Sequence, residues 1–193
     1  MTMPITHVNA KGKTYYLHQG VTKTGKPKYY FSPKDTGTPA TAIPAGFEIY
    51  ETPNAQVLLR KVLPKLITDE EWQLVEAGMK QYSDVHYYKI DVKGNAIIIY
   101  TADQDADAFS NLLKDLSPVI SETKIGEMFA SLAHYSPMLQ FNLENSERRV
   151  FSAQRYCFRG SIDDWIYIGH GELATLVKTF LKHLGKESYF ELF

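Results

Sequence analysis

The order in which apolar runs recur along this chain limits its architecture more than any single motif does. Short runs rich in β-branched and aromatic residues come in consecutive groups joined by turns, and helical patterns fall between the groups. Val85 to Val92 and Ala96 to Tyr100 flank Lys93-Gly94-Asn95, the composition of a hairpin turn. Met138 to Leu143, Val150 to Phe158 and Ile162 to Ile168 follow one another across short turns at 144–148 and 159–161. Parallel strands need a long crossover, usually helical, after each strand. A chain that strings strands together and places helices between the strings is expected to be α+β, with a mostly antiparallel sheet and packed helices.

The helical patterns are explicit. Thr68 stands three residues before Glu71, a capping-box spacing, and Asp69 and Glu70 suit the positive end of a helix dipole. This predicts a helix to about Gln81 with Trp72, Val75 and Met79 inward. Residues 106–116 place Phe109, Leu112, Leu113 and Leu116 at helical spacing. Ser121 can cap a further helix to Ala133 that buries Ile125, Met128, Phe129 and Leu132. From Glu172 to Leu184, apolar residues Leu173, Leu176, Val177, Phe180, Leu181 and Leu184 form one stripe, and Gly185 marks the stop.

The N-terminal third reads differently. KTYYLH (Lys13 to His18) and KYYFS (Lys28 to Ser32) predict a hairpin around a loop at Gln19 to Pro27, and FEIY (Phe47 to Tyr50) predicts a third strand. Asn54 to Val62, bounded by Pro53 and Pro64, reads as a short helix. Up to Leu66 there are nine Lys and Arg against three Asp and Glu, giving +6. With a total of −1, the remainder carries −7. The expected division is a basic, aromatic, β-rich module over 1–66 and an acidic α+β domain over 67–193. Opposite charges on two segments suit either two partner surfaces or mutual attraction.

At 193 residues the chain is long enough to bury about two-thirds of its unfolded surface without staples. Cys157 is the single cysteine, so neither an internal disulfide nor a cysteine-rich zinc site is expected. A lone thiol suits a reducing compartment, and MTMPITHVNAKGKTYY has no signal-like apolar run. The expected location is therefore cytoplasmic, with no membrane partner.

Four local patterns bear on chemistry. GVTKTGK (Gly20 to Lys26) matches the start of a phosphate-binding loop, but Pro27 stands where a magnesium-binding hydroxyl is needed, and a strand follows where a helix should. The same loop gathers Lys23, Lys26 and Lys28 beside Tyr16 and Tyr30. Such a set can hold phosphates and stack the bases of a single-stranded nucleic acid, or meet a protein partner, or simply form a small module's turn and core. Asp103, Asp105 and Asp107 begin like a calcium loop, but Ala108 and Lys114 replace its glycine and glutamate, leaving an acidic helix start. Arg155, Cys157 and Arg159 alternate on one strand, Asp163 and Asp164 follow on the next, and His170 precedes the last helix. Together they can bind an anionic small molecule and move a proton, or pair as cross-strand salt bridges. The remaining histidines lack ligand spacing, so no metal site and no cofactor is expected.

Without a recognisable catalytic spacing, the favoured reading is an intracellular binding or interaction protein. The alternatives are an enzyme for an anionic substrate at Arg155, Asp163, Asp164 and His170, with Arg159 as a ligand contact, and single-stranded nucleic-acid binding through Tyr16, Lys23, Lys26, Lys28 and Tyr30.

Overall fold

The computed structural model describes residues 4–117, 119–159 and 162–192. The fold is α+β. Among the described residues all strand pairings are antiparallel and fall in three sheets. Close Cα neighbours divide the chain into two compact units, Met1–Leu63 and Pro64–Phe193.

In the first unit β1 (Thr6–Val8), β2 (Thr14–Val21) and β3 (Pro27–Ser32) form a three-stranded sheet. β4 (Phe47–Glu51) and β5 (Val57–Lys61) form a separate hairpin. The second strand of that hairpin corrects the helix expected over 54–62. The Thr52 amide bonds to the Gln56 carbonyl, and Ala55 takes φ 62°, so the chain turns sharply. Val57 then pairs with Glu51, and the ladder runs to Lys61 opposite Phe47. A turn that costs a non-glycine residue a left-handed conformation is repaid by five cross-strand pairs, which an isolated single helical turn cannot match. Glu51 also ties this hairpin to the sheet, accepting from His7 at 2.9 Å and from the Ala10 amide at 2.8 Å.

The second unit is built on one five-stranded sheet, ordered β10-β9-β8-β7-β6. Its strands are β6 (Tyr88–Lys93), β7 (Ala96–Ala102), β8 (Tyr135–Asn145), β9 (Val150–Arg159) and β10 (Ile162–Glu172). The helices are α1 (Asp69–Tyr82), α2 (Ala106–Leu116), α3 (Glu122–Leu132) and α4 (Leu173–Phe180), with a 3-10 turn continuing α4 through His183. Thr68 and Glu71 make the expected capping box, and Asp105 and Ser121 cap α2 and α3. Gly94 takes φ 62° in the β6–β7 turn and Gly185 φ 77° after the last helical turn, conformations in which a side chain is strained.

Alternation along the strands gives the sheet two buried faces. Ile97, Ile99, Leu139, Phe141, Phe151 and Ala153 face α1 and α4, and meet Val75, Met79, Leu176 and Leu181 there. Ala96, Ile98 and Tyr100 face the other way, toward Phe129 and Ala133 of α3 and its C-terminal end. No described helix is long and apolar enough to cross a membrane.

Gly78 sets how closely α1 approaches α4. A Cβ there would lie 2.2 Å from Val177 Cγ1 and 3.0 Å from Leu181 Cδ1. Helix propensity alone favours alanine over glycine by about 1 kcal/mol. The overlap outweighs that gain, because a packed interior accommodates extra methyls at roughly 1–3 kcal/mol. Gly78→Ala is therefore expected to lower stability in a urea melt, and Val177→Ala in the same chain to recover part of the loss. A more stable Gly78→Ala protein would mean that the two helices do not approach this closely.

Candidate functional site

The residues singled out at the end of the chain do not form one constellation. Arg155 pairs in register with Ile166 and Leu139, on the face turned to α1 and α4. It is only 3% exposed, and its Nε donates to the Leu192 carbonyl at 2.8 Å, so it anchors the C-terminal segment. Asp163 pairs with Phe158 and projects from the opposite face. Asp164 pairs with Cys157 and shares the face of Arg155, diagonally across the ladder. His170 pairs with Ser152, on the face of Asp163 but seven residues along the strand, roughly 20 Å away. Both aspartates are exposed. The side chain of Arg159 and the turn residues Gly160 and Ser161 lie outside the described residues.

His170 has a different neighbour. Its Nδ1 lies 2.6 Å from the Tyr167 hydroxyl. Residues three apart in a strand normally face opposite sides. Here the register slips between Tyr167 and Gly169, so one extra residue, Ile168, turns inward and Tyr167 and His170 emerge on the same face. This bulge has no simple sequence signature apart from the glycines at 169 and 171.

In the first unit the cross-strand register places Tyr16, His18, Lys28 and Tyr30 on one face of the β2–β3 hairpin. The interior use of that face is marked by His18, which is 1% exposed and donates from Nε2 to the Lys34 carbonyl at 2.9 Å. Tyr30 carries His18 stacked at 5.4 Å and the Lys28 ammonium at 5.6 Å from its centroid. Its ring is thus engaged within the unit. Tyr16 is half-buried, whereas Lys23 and Lys26 are exposed on the turn. That turn closes a hairpin through Thr22 and Lys26 backbone and side-chain bonds, and so leads strand to strand rather than strand to helix.

A large cleft lies elsewhere, in the second unit. It encloses about 700 Å³ between the segment 84–87, the end of β7, α2 and α3. Sequence reading missed it because its lining comes from four separated stretches, 84–87, 102–114, 122–129 and Gly185. Tyr87 and Phe129 meet edge to face at 4.5 Å at its floor, and Phe109 packs on Phe129 from α2 at 5.4 Å. Gly126 leaves room for the Tyr87 hydroxyl, since a Cβ there would sit 3.1 Å from that oxygen.

The rim is acidic. Asp84, Asp105, Asp107 and Glu122 line it against Lys114 and His86. Asp105 is occupied as the cap of α2, accepting from the Asp107 and Ala108 amides. Lys186 holds the Asp84 carboxyl below its usual range, bonding to it at 2.8 Å, and Lys114 does the same for Glu122 at 2.9 Å. Asp107 lies in the first turn of α2. Beside the cleft Asp103 accepts from Ser136 at 3.0 Å and contacts His134 Nδ1 at 2.7 Å. The three aspartates thus serve a helix start and loop bonds. Among the described residues no group of three or more His, Cys, Asp or Glu side chains is arranged to hold a metal ion.

No family model, no curated protein and no solved structure matches the chain.

Proposed function

We propose that the chain is a binding protein whose larger unit receives a positively charged ligand group in the cleft between α2, α3 and the segment 84–87. The observation that carries this reading is the joint character of the cleft. Its volume falls in the range of ligand pockets, its floor is aromatic, and its four carboxylates outnumber the two lysines, Lys114 in the lining and Lys186 on Asp84, that offset them. A concave surface with one sign of excess charge concentrates counter-ions of the other sign. An aromatic floor adds attraction for an ammonium or guanidinium brought against the ring faces. Ligands of this kind include polyamines and lysine- or arginine-bearing peptides.

The test is calorimetric titration of the full chain with spermidine and with trilysine, together with an amide NMR map. Binding is expected to weaken between low and moderate salt. Replacing Asp107 and Glu122 by Asn and Gln removes two of the four lining carboxylates, so affinity should drop about fivefold. The largest shifts should fall at Tyr87, Gly126 and Phe129. Absence of binding by both probes, or shifts confined to other surfaces, would overturn the proposal.

A further inference from the structure

The face of the five-stranded sheet turned toward α3 changes character across its width. Over β7 it is apolar, with Ala96 and Ile98 buried. Over β8, β9 and β10 two successive cross-strand rows are polar instead. One row runs Tyr167, Gln154, Gln140, and the next runs His170, Ser152, Asn142. Polar side chains at such central positions are usually hydrogen-bonded, as Gln140, Gln154 and Ser152 are here. Gln140 donates to Gln154 at 2.6 Å and is 8% exposed. Ser152 donates to Glu144 at 2.6 Å and is 3% exposed. The amides and the carboxylate are thereby fixed in position, each with bonding capacity left over, since an amide offers two donors and two acceptor sites and a carboxylate about four.

An aromatic band runs beside the amides. The Tyr167 and His170 centroids are 6.4 Å apart, with planes 27° from parallel and a 2.6 Å contact between hydroxyl and Nδ1. A hydroxyl reaches a ring-edge nitrogen at that distance only when the rings lie end to end, so the pair extends as one nearly flat surface rather than a stack. Tyr167 is 52% exposed. The band continues along the strands through Trp165 and Tyr156, whose centroids are 5.0 Å apart.

We infer that this strip is a binding site for a neutral saccharide chain. Sugars present an apolar ring face that lies on aromatic surfaces, and paired hydroxyls that both donate and accept. The flat Tyr167–His170 pair, bordered by fixed amides and a carboxylate, supplies both. The charge argues against an anionic ligand: the six residues of the two rows include no lysine or arginine, and Glu144 and Asp163 are acidic. A nucleotide or sulfated chain would therefore meet like charge over β8–β10, and the lysine at the far end of the second row, Lys93 on β6, is held by Asp91 and the Tyr100 hydroxyl. The two rows lie on β8–β10, none of their residues lines the cleft, and the inference does not depend on what that cleft binds.

The test is calorimetric titration of the full chain with cellohexaose, maltohexaose and chitohexaose, with a heparin-derived hexasaccharide and AMP as charged comparisons. At least one neutral hexasaccharide is expected to bind at micromolar to millimolar concentration. Tyr167→Ala and Gln154→Ala should each weaken it about tenfold, roughly the loss of one stacking or hydrogen-bonding anchor. Tyr167 is exposed, so its variant should melt with the parent chain and report binding alone. The inference is overturned if no neutral hexasaccharide binds at millimolar concentration, if only heparin or AMP binds, or if binding survives Tyr167→Ala unchanged.

Discussion

Tyr189→Ala is expected to destabilise the larger unit by roughly 3–5 kcal/mol, the range for deleting a large buried aromatic side chain. Tyr189 is 1% exposed and closes the core beneath the C-terminal 3-10 turn at 187–189. Its hydroxyl does further work. The β8–β9 ladder begins at the pair Leu139 and Arg155. One position beyond, the Tyr189 hydroxyl donates to the Met138 carbonyl and accepts from the Tyr156 amide at 3.2 Å. The register of β8 against β7 slips at Met138, with Ile99 opposite Leu139 and Tyr100 opposite Pro137, and a side chain thus supplies the rung that the bulged β8 cannot. Tyr189→Phe keeps the packing and strands a buried donor and acceptor, so it should cost about 1–3 kcal/mol. Burial raises the pKa of this hydroxyl above its ordinary 10.0. Above that pH the unfolded chain releases a proton that the folded chain retains, so stability should fall as pH rises past 10. The same titration in Tyr189→Phe should show a shallower fall. If urea melts show both variants within about 0.5 kcal/mol of the parent, the C-terminal segment is not part of the core.

The sequence made the helices of the larger unit legible because their signals are local. A capping box, two further side-chain caps and a full apolar stripe each lie within one stretch of chain, and α1 to α4 formed where those signals fall. β5 was misread because Pro53 and Pro64 look like helix bounds. The deciding event is a left-handed turn at Ala55, a residue type that seldom adopts it. The cluster of Arg155, Asp163 and His170 comes apart for a different reason. Alternation is unbroken from Arg155 to Phe158, so the turn length alone decides which face Asp163 takes, and strand length separates His170 from it. The register does put Asp163 beside Phe158, as the turn length implies, and that is the face Arg155 does not share. The bulge at Ile168 then brought Tyr167 beside His170, a contact that counting in twos forbids. The cleft around Tyr87 and the contact at Gly78 depend on elements far apart in sequence, and neither leaves a periodic trace.

Phe180→Ala is the second large loss expected, again about 3–5 kcal/mol. It distinguishes between two accounts of the same bulge. Phe180 lies on the α4 stripe with Leu173, Leu176 and Val177, all buried. Its ring packs against Gly169, where a Cβ would sit 3.1 Å from Cζ and 3.4 Å from Cε2. The glycine and the aromatic ring therefore fit each other, and Ile168 turns into the same core beside them. Gly169→Ala in the parent chain should be neutral or cost up to about 1 kcal/mol, because the added methyl pushes on the ring while relieving the strand of a flexible glycine. In the Phe180→Ala background the ring is gone, so the same change should stabilise. Such a reversal of sign is a coupling that a double-mutant cycle reads directly. If packing of Phe180 holds the bulge in place, Phe180→Ala should also release the Tyr167–His170 bond, visible as a shift of the His170 ring protons in NMR. If those protons stay put and the two substitutions add independently, the bulge is set by the backbone of β9 and β10 alone. The flat edge formed by Tyr167 and His170 would then owe nothing to the helix beneath it.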